Sequence, residues 1–237
     1  MLALDNLSIG YDGKAIVSGV TLSLAPGTMA CLLGNNGTGK STLLKTVAGF
    51  LKPVTGTVTY GGRPLERMSP KERATTVGVV LTGRAESQLL TVEDLVGLGL
   101  SPYTGFFGRL SAGDRQIVDA CMEMIDIASL RRKRLSELSD GEYQKAIIAK
   151  ALAQQTPVIL MDEPTAYLDF RSKVELLELS SQLAHSEGKT VLVTTHDVNL
   201  ALKIADTVLL MQEGRVLVNP DSDDIRHFIG TNAAGYL

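Results

Sequence analysis

Hydrophobic residues along this chain form short runs separated by glycine, proline and small polar residues. Runs of this length, whether alternating or continuously apolar, are typical of β-strands. They predict strands at residues 2–9, 20–24, 29–33, 56–60, 77–81, 158–161 and 190–194. The runs at 29–33 and 158–161 are apolar at every position, and the run at 190–194 has an apolar centre between two threonines. Such runs indicate parallel strands buried on both faces.

Other apolar residues recur every three or four positions, as on one face of a helix. After residue 39 these are Leu43, Leu44, Val47 and Phe50. Residues 111–114 resemble a helix cap and precede a second such face, formed by Ile117, Ala120, Cys121, Met124 and Ile125. A third pattern extends from residue 139 to residue 151, so the region from about 83 to 155 is predicted to be mostly helical.

Composition narrows the class of protein. With 237 residues, 44% of them hydrophobic and 21% charged, the chain is expected to form one domain with subdivisions. No apolar run approaches the ~18 residues of a membrane span, and the first residues lack the pattern of a signal peptide. A net charge of −3 gives no general attraction to nucleic acid, and a cytosolic chain is expected.

Two features are interpreted as structural. Cys31 and Cys121 lie in a predicted strand and a predicted helix, so buried free thiols are expected. The basic run at residues 131–134 is interpreted as a solvated face, because the rest of the chain is slightly acidic.

A glycine-rich segment after the strand at 29–33 fits the P-loop pattern, with a helical pattern behind it. Its residues are Gly34, Asn35, Asn36, Gly37, Thr38, Gly39, Lys40, Ser41 and Thr42. Such glycines let successive backbone N–H groups turn towards a phosphate chain at the positive end of a helix. Lys40 can then reach the terminal phosphates and the Ser41 hydroxyl can bind Mg²⁺, so the sequence predicts binding of a nucleoside triphosphate.

Ionisable residues follow two of the other predicted buried strands. Asp162 and Glu163 end the strand at 158–161, and His196 follows the strand at 190–194. Adjacent carboxylates at the end of a buried strand are costly unless they serve a cation or a proton transfer. Asp162 is therefore the expected indirect partner of Mg²⁺, and Glu163 is the candidate general base for an attacking water. Strand ends in an open α/β sheet collect ligands, which favours a functional His196.

Two further positions are ambiguous on their residues alone. Tyr11 follows the first strand, where an aromatic ring more often packs than binds. Ser139 and Gly141 begin a predicted helix, where backbone N–H groups and a hydroxyl can receive an anion, but by themselves these residues indicate little more than a helix cap.

The order of these elements resembles the ATPase subunit of an ATP-binding cassette transporter, over nearly the whole chain. In that family an aromatic residue that stacks on adenine comes first, here Tyr11, and the P-loop follows it. Next come the signature, here residues 138–144, and the strand that ends in Asp162 and Glu163. The last elements are a Leu-Asp loop, here Leu168 and Asp169, and a switch histidine, here His196. The signature reads Leu-Ser-Asp-Gly-Glu here, a tolerated variant of the commoner Leu-Ser-Gly-Gly-Gln.

The resemblance implies an α/β fold for residues 1–237: a P-loop NTPase cassette with a mostly parallel core sheet, an N-terminal antiparallel β subdomain and a helical signature subdomain at about 83–155. It further implies that ATP and Mg²⁺ bind between two copies arranged head to tail, with Ser139 and Gly141 reaching the partner's nucleotide. Separate permease subunits, a substrate-binding protein and a position on the cytoplasmic face of the membrane are expected with it.

Residues 98–103 resemble the importer branch that handles ferric siderophores, haem and cobalamin. The competing interpretation is a soluble cassette ATPase that acts on ribosomes or chromosomes. Such proteins join two cassettes in one chain or carry long coiled coils, and this chain has one cassette and no sustained heptads.

One position departs from the family. After the strand at 77–81 the family usually has a glutamine that contacts Mg²⁺ and the membrane partner, whereas this chain has Thr82, with Gln88 six residues later. Thr82 is the candidate third metal ligand beside Ser41 and Asp162; Gln88 or water are the alternatives.

Overall fold

Two β-sheets and the helices around them make up the computed structural model, which describes residues 1–81, 89–104 and 109–233. The strands are β1 Leu2–Tyr11, β2 Lys14–Leu24, β3 Met29–Gly34, β4 Thr55–Tyr60, β5 Arg63–Pro64, β6 Val77–Val80, β7 Val158–Met161, β8 Thr190–Thr195, β9 Thr207–Gln212 and β10 Arg215–Val218. The α-helices are α1 Lys40–Val47, α2 Pro70–Thr76, α3 Val92–Gly97, α4 Ala112–Met124, α5 Asp140–Ala153, α6 Phe170–Glu187, α7 Val198–Ile204 and α8 Ser222–Ala233. Short 3₁₀ turns are found at Leu65–Arg67, Leu98–Leu100, Ala128–Leu130 and Leu135–Glu137.

The larger sheet has the order β10-β9-β3-β8-β7-β6, and its pairs are parallel except for β10 with β9. The smaller sheet has the order β2-β1-β4-β5 and is antiparallel. The predicted fold class is therefore confirmed, with a mostly parallel core sheet and an N-terminal antiparallel sheet.

Both faces of the core sheet are covered, which explains its continuous apolar strands. Along β3, Met29, Cys31 and Leu33 join one hydrophobic cluster, which also contains residues of α3 to α6. The alternate residues Ala30 and Leu32 join a second cluster, which contains the buried side chains of the antiparallel sheet. The core sheet is thus sandwiched between helices and the smaller sheet.

The first strand is irregular in its alternation because it contains a bulge. Its pairing with β2 shifts register between Leu4 and Leu7, and Asn6 has a φ of 45°. Opposite the bulge, a Cβ on Gly56 would lie 2.3 Å from the carbonyl oxygen of Asn6. Glycine is required there because the two backbones approach so closely.

Two predicted helical faces were wrong in part. Helix α1 ends at Val47 and the Phe50 side chain is 61% exposed, because Gly49 takes a φ of 82° and stops the helix. The N–H of Gly49 donates to Thr46 O and the N–H of Phe50 donates to Lys45 O, the two bonds that close a Schellman motif.

Helix α4 begins after its Ser111 cap as predicted, but its buried residues are Val118, Cys121 and Met122, so Ala120 and Met124 face outwards.

Several other predictions concern single features. Both cysteines are buried and free, as expected. No helix within the described ranges has the length and hydropathy of a membrane span. The helical subdomain boundary near residue 83 stays a prediction, because residues 82–88 lie outside the described ranges. Thr82 and Gln88 fall in the same gap, so the question of the third metal ligand also stays a prediction.

Candidate nucleotide site

The candidate residues converge because the parallel strands end at the same edge of the core sheet. Register pairs Leu33 of β3 with Thr195 of β8, and Met161 of β7 with Val193 of β8. Gly34 therefore begins the P-loop beside the position where His196 follows β8, and Asp162 emerges one strand further along. This edge is the place where an open α/β sheet binds ligands.

The P-loop turns through glycines that have left-handed backbone angles. Gly37 has a φ of 82° and Gly39 a φ of 110°. A Cβ on Gly39 would lie 3.2 Å from Ile16 and 3.3 Å from Val17, both on β2. Helix α1 starts at the next residue, so its N–H groups face the loop. Residues with a Cβ rarely adopt these angles, so the loop needs glycine at both positions. A turn of this kind can direct successive N–H groups towards a phosphate chain.

Lys40 lies across the loop that it follows. Its ammonium donates to the carbonyl oxygens of Gly34 at 2.7 Å and Asn35 at 3.1 Å. It also lies 3.3 Å from Oε1 of Glu163, and its side chain is only 5% exposed. When a phosphate binds, the Lys40 ammonium can donate to its oxygens in place of these carbonyl oxygens, so the buried charge keeps its hydrogen bonds.

A residue that the sequence reasoning missed joins the two carboxylates. The Thr194 hydroxyl donates to Oδ1 of Asp162 at 2.8 Å and accepts the backbone N–H of Glu163, also at 2.8 Å. Thr194 is fully buried at the end of β8. The available signal was the pair of threonines, Thr194 and Thr195, that ends a buried central strand, because buried hydroxyls need hydrogen-bond partners.

Glu163 itself has an uncommon backbone conformation, with a φ of 44°. Left-handed angles cost a residue with a Cβ about 1 kcal/mol or more. The hydrogen bond from its N–H to Thr194 and the ion pair with Lys40 hold it there. Such strain is found where a side chain must be aimed at a site.

The residues available for Mg²⁺ are few. Asp162 is 3% exposed at the end of β7, and Ser41 lies in the first turn of α1. Across the described ranges, no group of three or more His, Cys, Asp or Glu side chains is placed to hold a metal ion. A hydroxyl and one carboxylate fit the type of Mg²⁺ site that takes its remaining ligands from substrate phosphates and water.

Tyr11, at the end of β1, approaches the same helix. Its hydroxyl lies 3.2 Å from Oγ1 of Thr42, and the side chain is 51% exposed. The ring therefore stands beside the P-loop with much of its surface open to solvent. His196 is also exposed, directly after β8.

The signature residues form a separate cleft. Ser139 caps α5 by accepting the N–H of Glu142 at 3.2 Å, and Glu142 returns the bond by accepting the N–H of Ser139 at 2.8 Å. Ser139, Gly141 and Asp169 line one cleft of about 320 Å³. Its lining includes no P-loop residue, so this cleft does not join the signature to the P-loop of the same copy.

Asp169 is held in place as the cap of α6. Its carboxylate accepts the N–H of Ser172 at 2.9 Å and the hydroxyl of Ser172 at 3.0 Å. These bonds, chiefly the backbone one, hold the pKa of Asp169 below its usual value. Asp169 therefore contributes a negative charge to the cleft at neutral pH.

Comparison with known families settles the class. The family model described as ABC transporter matches residues 17–166. The chain belongs to this family. The match covers the P-loop, the signature and the Asp162–Glu163 strand end, so the resemblance predicted from the motifs is confirmed.

Curated relatives cover most of the cassette. The chain is 42% identical to an uncharacterized ABC transporter ATP-binding protein of Methanocaldococcus jannaschii, over 92% of this chain and 75% of the relative. It is 35% identical to the iron(3+)-hydroxamate import ATP-binding protein of Bacillus subtilis, over 91% of this chain and 80% of the relative. It is 38% identical to the hemin import ATP-binding protein of Bordetella parapertussis, over 92% of this chain and 86% of the relative.

Among solved structures, a bacterial ABC transporter cassette determined as a dimer matches with a TM-score of 0.81 and 28% identity, over 91% of this chain and 96% of that chain. The same cassette has been solved as a dimer after hydrolysis, bound to ADP and Pi. The present chain is an ABC ATPase by family and fold.

Proposed function

We propose that this ABC ATPase drives a membrane importer of iron chelates, such as ferric siderophores or haem. The support for transport of this class is the pair of relatives named for import of iron(3+)-hydroxamate and hemin. Cobalamin, which the resemblance at residues 98–103 also implied, belongs to the same group of large chelated metals. The soluble ribosome or chromosome ATPase is not favoured, because the relatives described above are transport proteins.

The observation that carries the proposed hydrolytic role is the meeting of Lys40 and Glu163 at 3.3 Å, on the edge where the P-loop begins. In this proposal Glu163 accepts a proton from the attacking water and Lys40 binds the terminal phosphates of ATP. His196, on the neighbouring strand end, is proposed to sense the terminal phosphate.

The remaining P-loop residues bind the phosphates through backbone N–H groups and hydroxyls. Ser41 and Asp162 are proposed to hold Mg²⁺, with Thr82 as the third candidate. When bound, Mg²⁺ neutralises charge on the phosphates. Thr194 fixes the direction of the Asp162 carboxylate through the 2.8 Å bond. The Tyr11 ring is proposed to stack on adenine.

The signature is proposed to act on the nucleotide of a second copy. The lining of its cleft excludes the P-loop of the same chain, and the matched cassette was solved as a dimer. In a head-to-tail pair related by a two-fold axis, Ser139 and Gly141 of each copy would face the other copy's ATP, with Asp169 beside them. Closure of the pair on ATP would move separate permease subunits.

These partners also define the proposed location. The chain would bind permease subunits at the cytoplasmic face of the membrane, and a substrate-binding protein would deliver the chelate from the other side. Nucleic acid is not among the proposed partners.

The test is reconstitution in proteoliposomes with the permease that co-purifies with this chain from detergent-solubilised membranes. ATP-dependent uptake of a ferric hydroxamate or hemin, abolished in Glu163→Gln, is the expected result. Failure to co-purify with any permease from detergent-solubilised membranes, together with ATPase activity that no permease alters, would overturn the proposal. Uptake of a different substrate class would correct the cargo and leave the ATPase assignment unchanged.

A further inference from the structure

The signature of this chain carries two carboxylates, Asp140 and Glu142. Of these, Glu142 lines the cleft that also contains Ser139, Gly141 and Asp169. The backbone N–H of Ser139 and, to a smaller extent, the Ser139 hydroxyl and Lys133 hold the pKa of Glu142 below its usual value. Glu142 is therefore ionised at neutral pH. It adds a negative charge to a surface where the proposed function requires a triphosphate to dock.

Lys145 also lines the cleft, but the cation that forms an ion pair with Glu142 is Lys133. The Lys133 ammonium lies 3.3 Å from Oε1 of Glu142. The other oxygen, Oε2, accepts the N–H of Ser139 at 2.8 Å. The two oxygens are thus divided between the helix cap and one lysine, so the carboxylate is held at the start of α5 by both.

Two backbone hydrogen bonds fix the position of Lys133 in the chain. Its N–H donates to Leu130 O at 2.9 Å, and its own carbonyl accepts the N–H of Val92 at 3.1 Å, which ties it to the start of α3. The nearby Arg131 is engaged elsewhere, with Asp119 and Glu93. Lys133 is therefore the member of the basic run that reaches the signature.

The ion pair contributes little to folding. The side chains of Lys133 and Glu142 are 46% and 32% exposed, and exposed pairs of this kind have small effects on stability. Its effect on an approaching anion is different. An uncompensated carboxylate repels a phosphate chain, whereas a neutral pair does so much less.

We propose that Lys133 is a positioning residue of the composite ATP site: it neutralises Glu142 so that the signature can accept the triphosphate bound by a second copy. This inference rests on the proposed two-copy site. The basic run, interpreted from the sequence as a solvated face, thus acquires a role at one of its residues.

The test measures the ATP concentration that gives half-maximal dimerisation, by sedimentation velocity of the full chain in a Glu163→Gln background. Lys133→Met is expected to raise this concentration about fivefold, because the Glu142 carboxylate then loses its ion-pair partner. Lys133→Arg is expected to restore it. Arg132→Met, which removes the same charge from the adjacent exposed residue, is the matched control and should have little effect.

The decisive comparison uses Glu142→Gln. If Lys133 acts through Glu142, Lys133→Met causes no further loss in the Glu142→Gln background. An equal loss in both backgrounds would overturn the inference, because Lys133 would then act on the phosphates or the fold directly. No loss in either background would overturn it as well. The loss should also shrink between about 0.02 M and 0.5 M salt, since screening weakens exposed charges.

Failure of the two-copy site gives a different result. Ser139→Arg should abolish dimerisation altogether if the signature contacts the partner's ATP. Dimerisation that survives Ser139→Arg would overturn the proposed composite site, whereas dimerisation that is lost in Ser139→Arg and unaffected by Lys133→Met would overturn the role of Lys133 alone.

Discussion

Lys40 of the P-loop and Glu163 at the end of β7 form an ion pair, with 3.3 Å between Nζ and Oε1. The cation that is proposed to bind phosphate and the carboxylate that is proposed to accept a proton therefore contact each other directly. Phosphate oxygens must compete with Glu163 for the lysine. We therefore expect that binding of phosphate to Lys40 would release Glu163, the candidate base.

This relationship predicts opposite effects of two substitutions on ATP binding. Lys40→Ala should weaken ATP binding by about tenfold to a hundredfold, because charge-assisted hydrogen bonds to phosphate are lost. Glu163→Gln should bind ATP at least as tightly as the wild type, because the competing charge is removed. Isothermal titration calorimetry measures both. Much weaker binding in Glu163→Gln would show that Glu163 supports the nucleotide instead of competing with it.

Thr194 offers a test of how the carboxylates are aimed. Thr194→Val keeps the side-chain shape and removes the hydroxyl that bonds Asp162 and the N–H of Glu163. Hydrolysis should fall about tenfold or more, and the Mg²⁺ concentration for half-maximal activity should rise, as when a group that orients a metal ligand is lost.

The neighbouring buried threonine provides a control for that variant. Thr195 accepts the N–H of Asp197 and contacts neither carboxylate through its hydroxyl in the hydrogen bonds described. Thr195→Val should therefore leave the Mg²⁺ requirement near the wild-type value. Equal shifts in both variants would assign the effect to packing of β8.

Tyr11 is predicted to contribute to nucleotide affinity through its ring. Tyr11→Ala should weaken ATP binding by about 1 kcal/mol if the ring stacks on adenine. Tyr11→Phe removes only the hydroxyl that contacts Thr42, so it should retain most of the affinity. Calorimetry with ATP compares the two. Unchanged affinity in Tyr11→Ala would return the residue to a packing role.

Acid should destabilise the fold in part through Glu72. The backbone N–H of Ser69, together with the Ser69 hydroxyl and Arg63, lowers the pKa of Glu72 to about 2. Because the folded pKa is depressed, the stabilisation is present above the ordinary pKa of 4.5 and is lost as the pH falls towards 2. The thermal midpoint should fall less steeply over this window in Glu72→Gln than in Glu66→Gln, a control on an exposed carboxylate nearby. Equal slopes would contradict this account.

The elements that could be predicted from the sequence are those whose signals are local. The P-loop, the buried strands and the caps at Ser111 and Ser139 depend on residues a few positions apart, and the structure contains them. The signal for the end of α1 was local too, because Gly49 is a residue that stops helices. The predicted helical face nevertheless included Phe50, which lies beyond that glycine.

The parts that could not be predicted depend on contacts between distant segments. Thr194 is 32 residues from Asp162 in sequence and becomes its partner only when β7 and β8 pair in register. The buried face of α4 depends on how the helix packs against its neighbours. The sequence has more apolar residues on α4 than this face buries, so it does not show which of them are buried. The pairing of Lys133 with Glu142 likewise requires the turn at Leu135–Glu137 to bring them together.

The central claim is that a second copy of the chain completes the ATP site. The most direct measurement is the mass of the Glu163→Gln chain by size-exclusion chromatography with light scattering, with and without ATP and Mg²⁺. Because this variant is expected to bind ATP without hydrolysing it, the account predicts a dimer that forms with ATP and disappears when Ser139→Arg is added. A chain that remains monomeric at saturating ATP, or a dimer that Ser139→Arg does not affect, would contradict it.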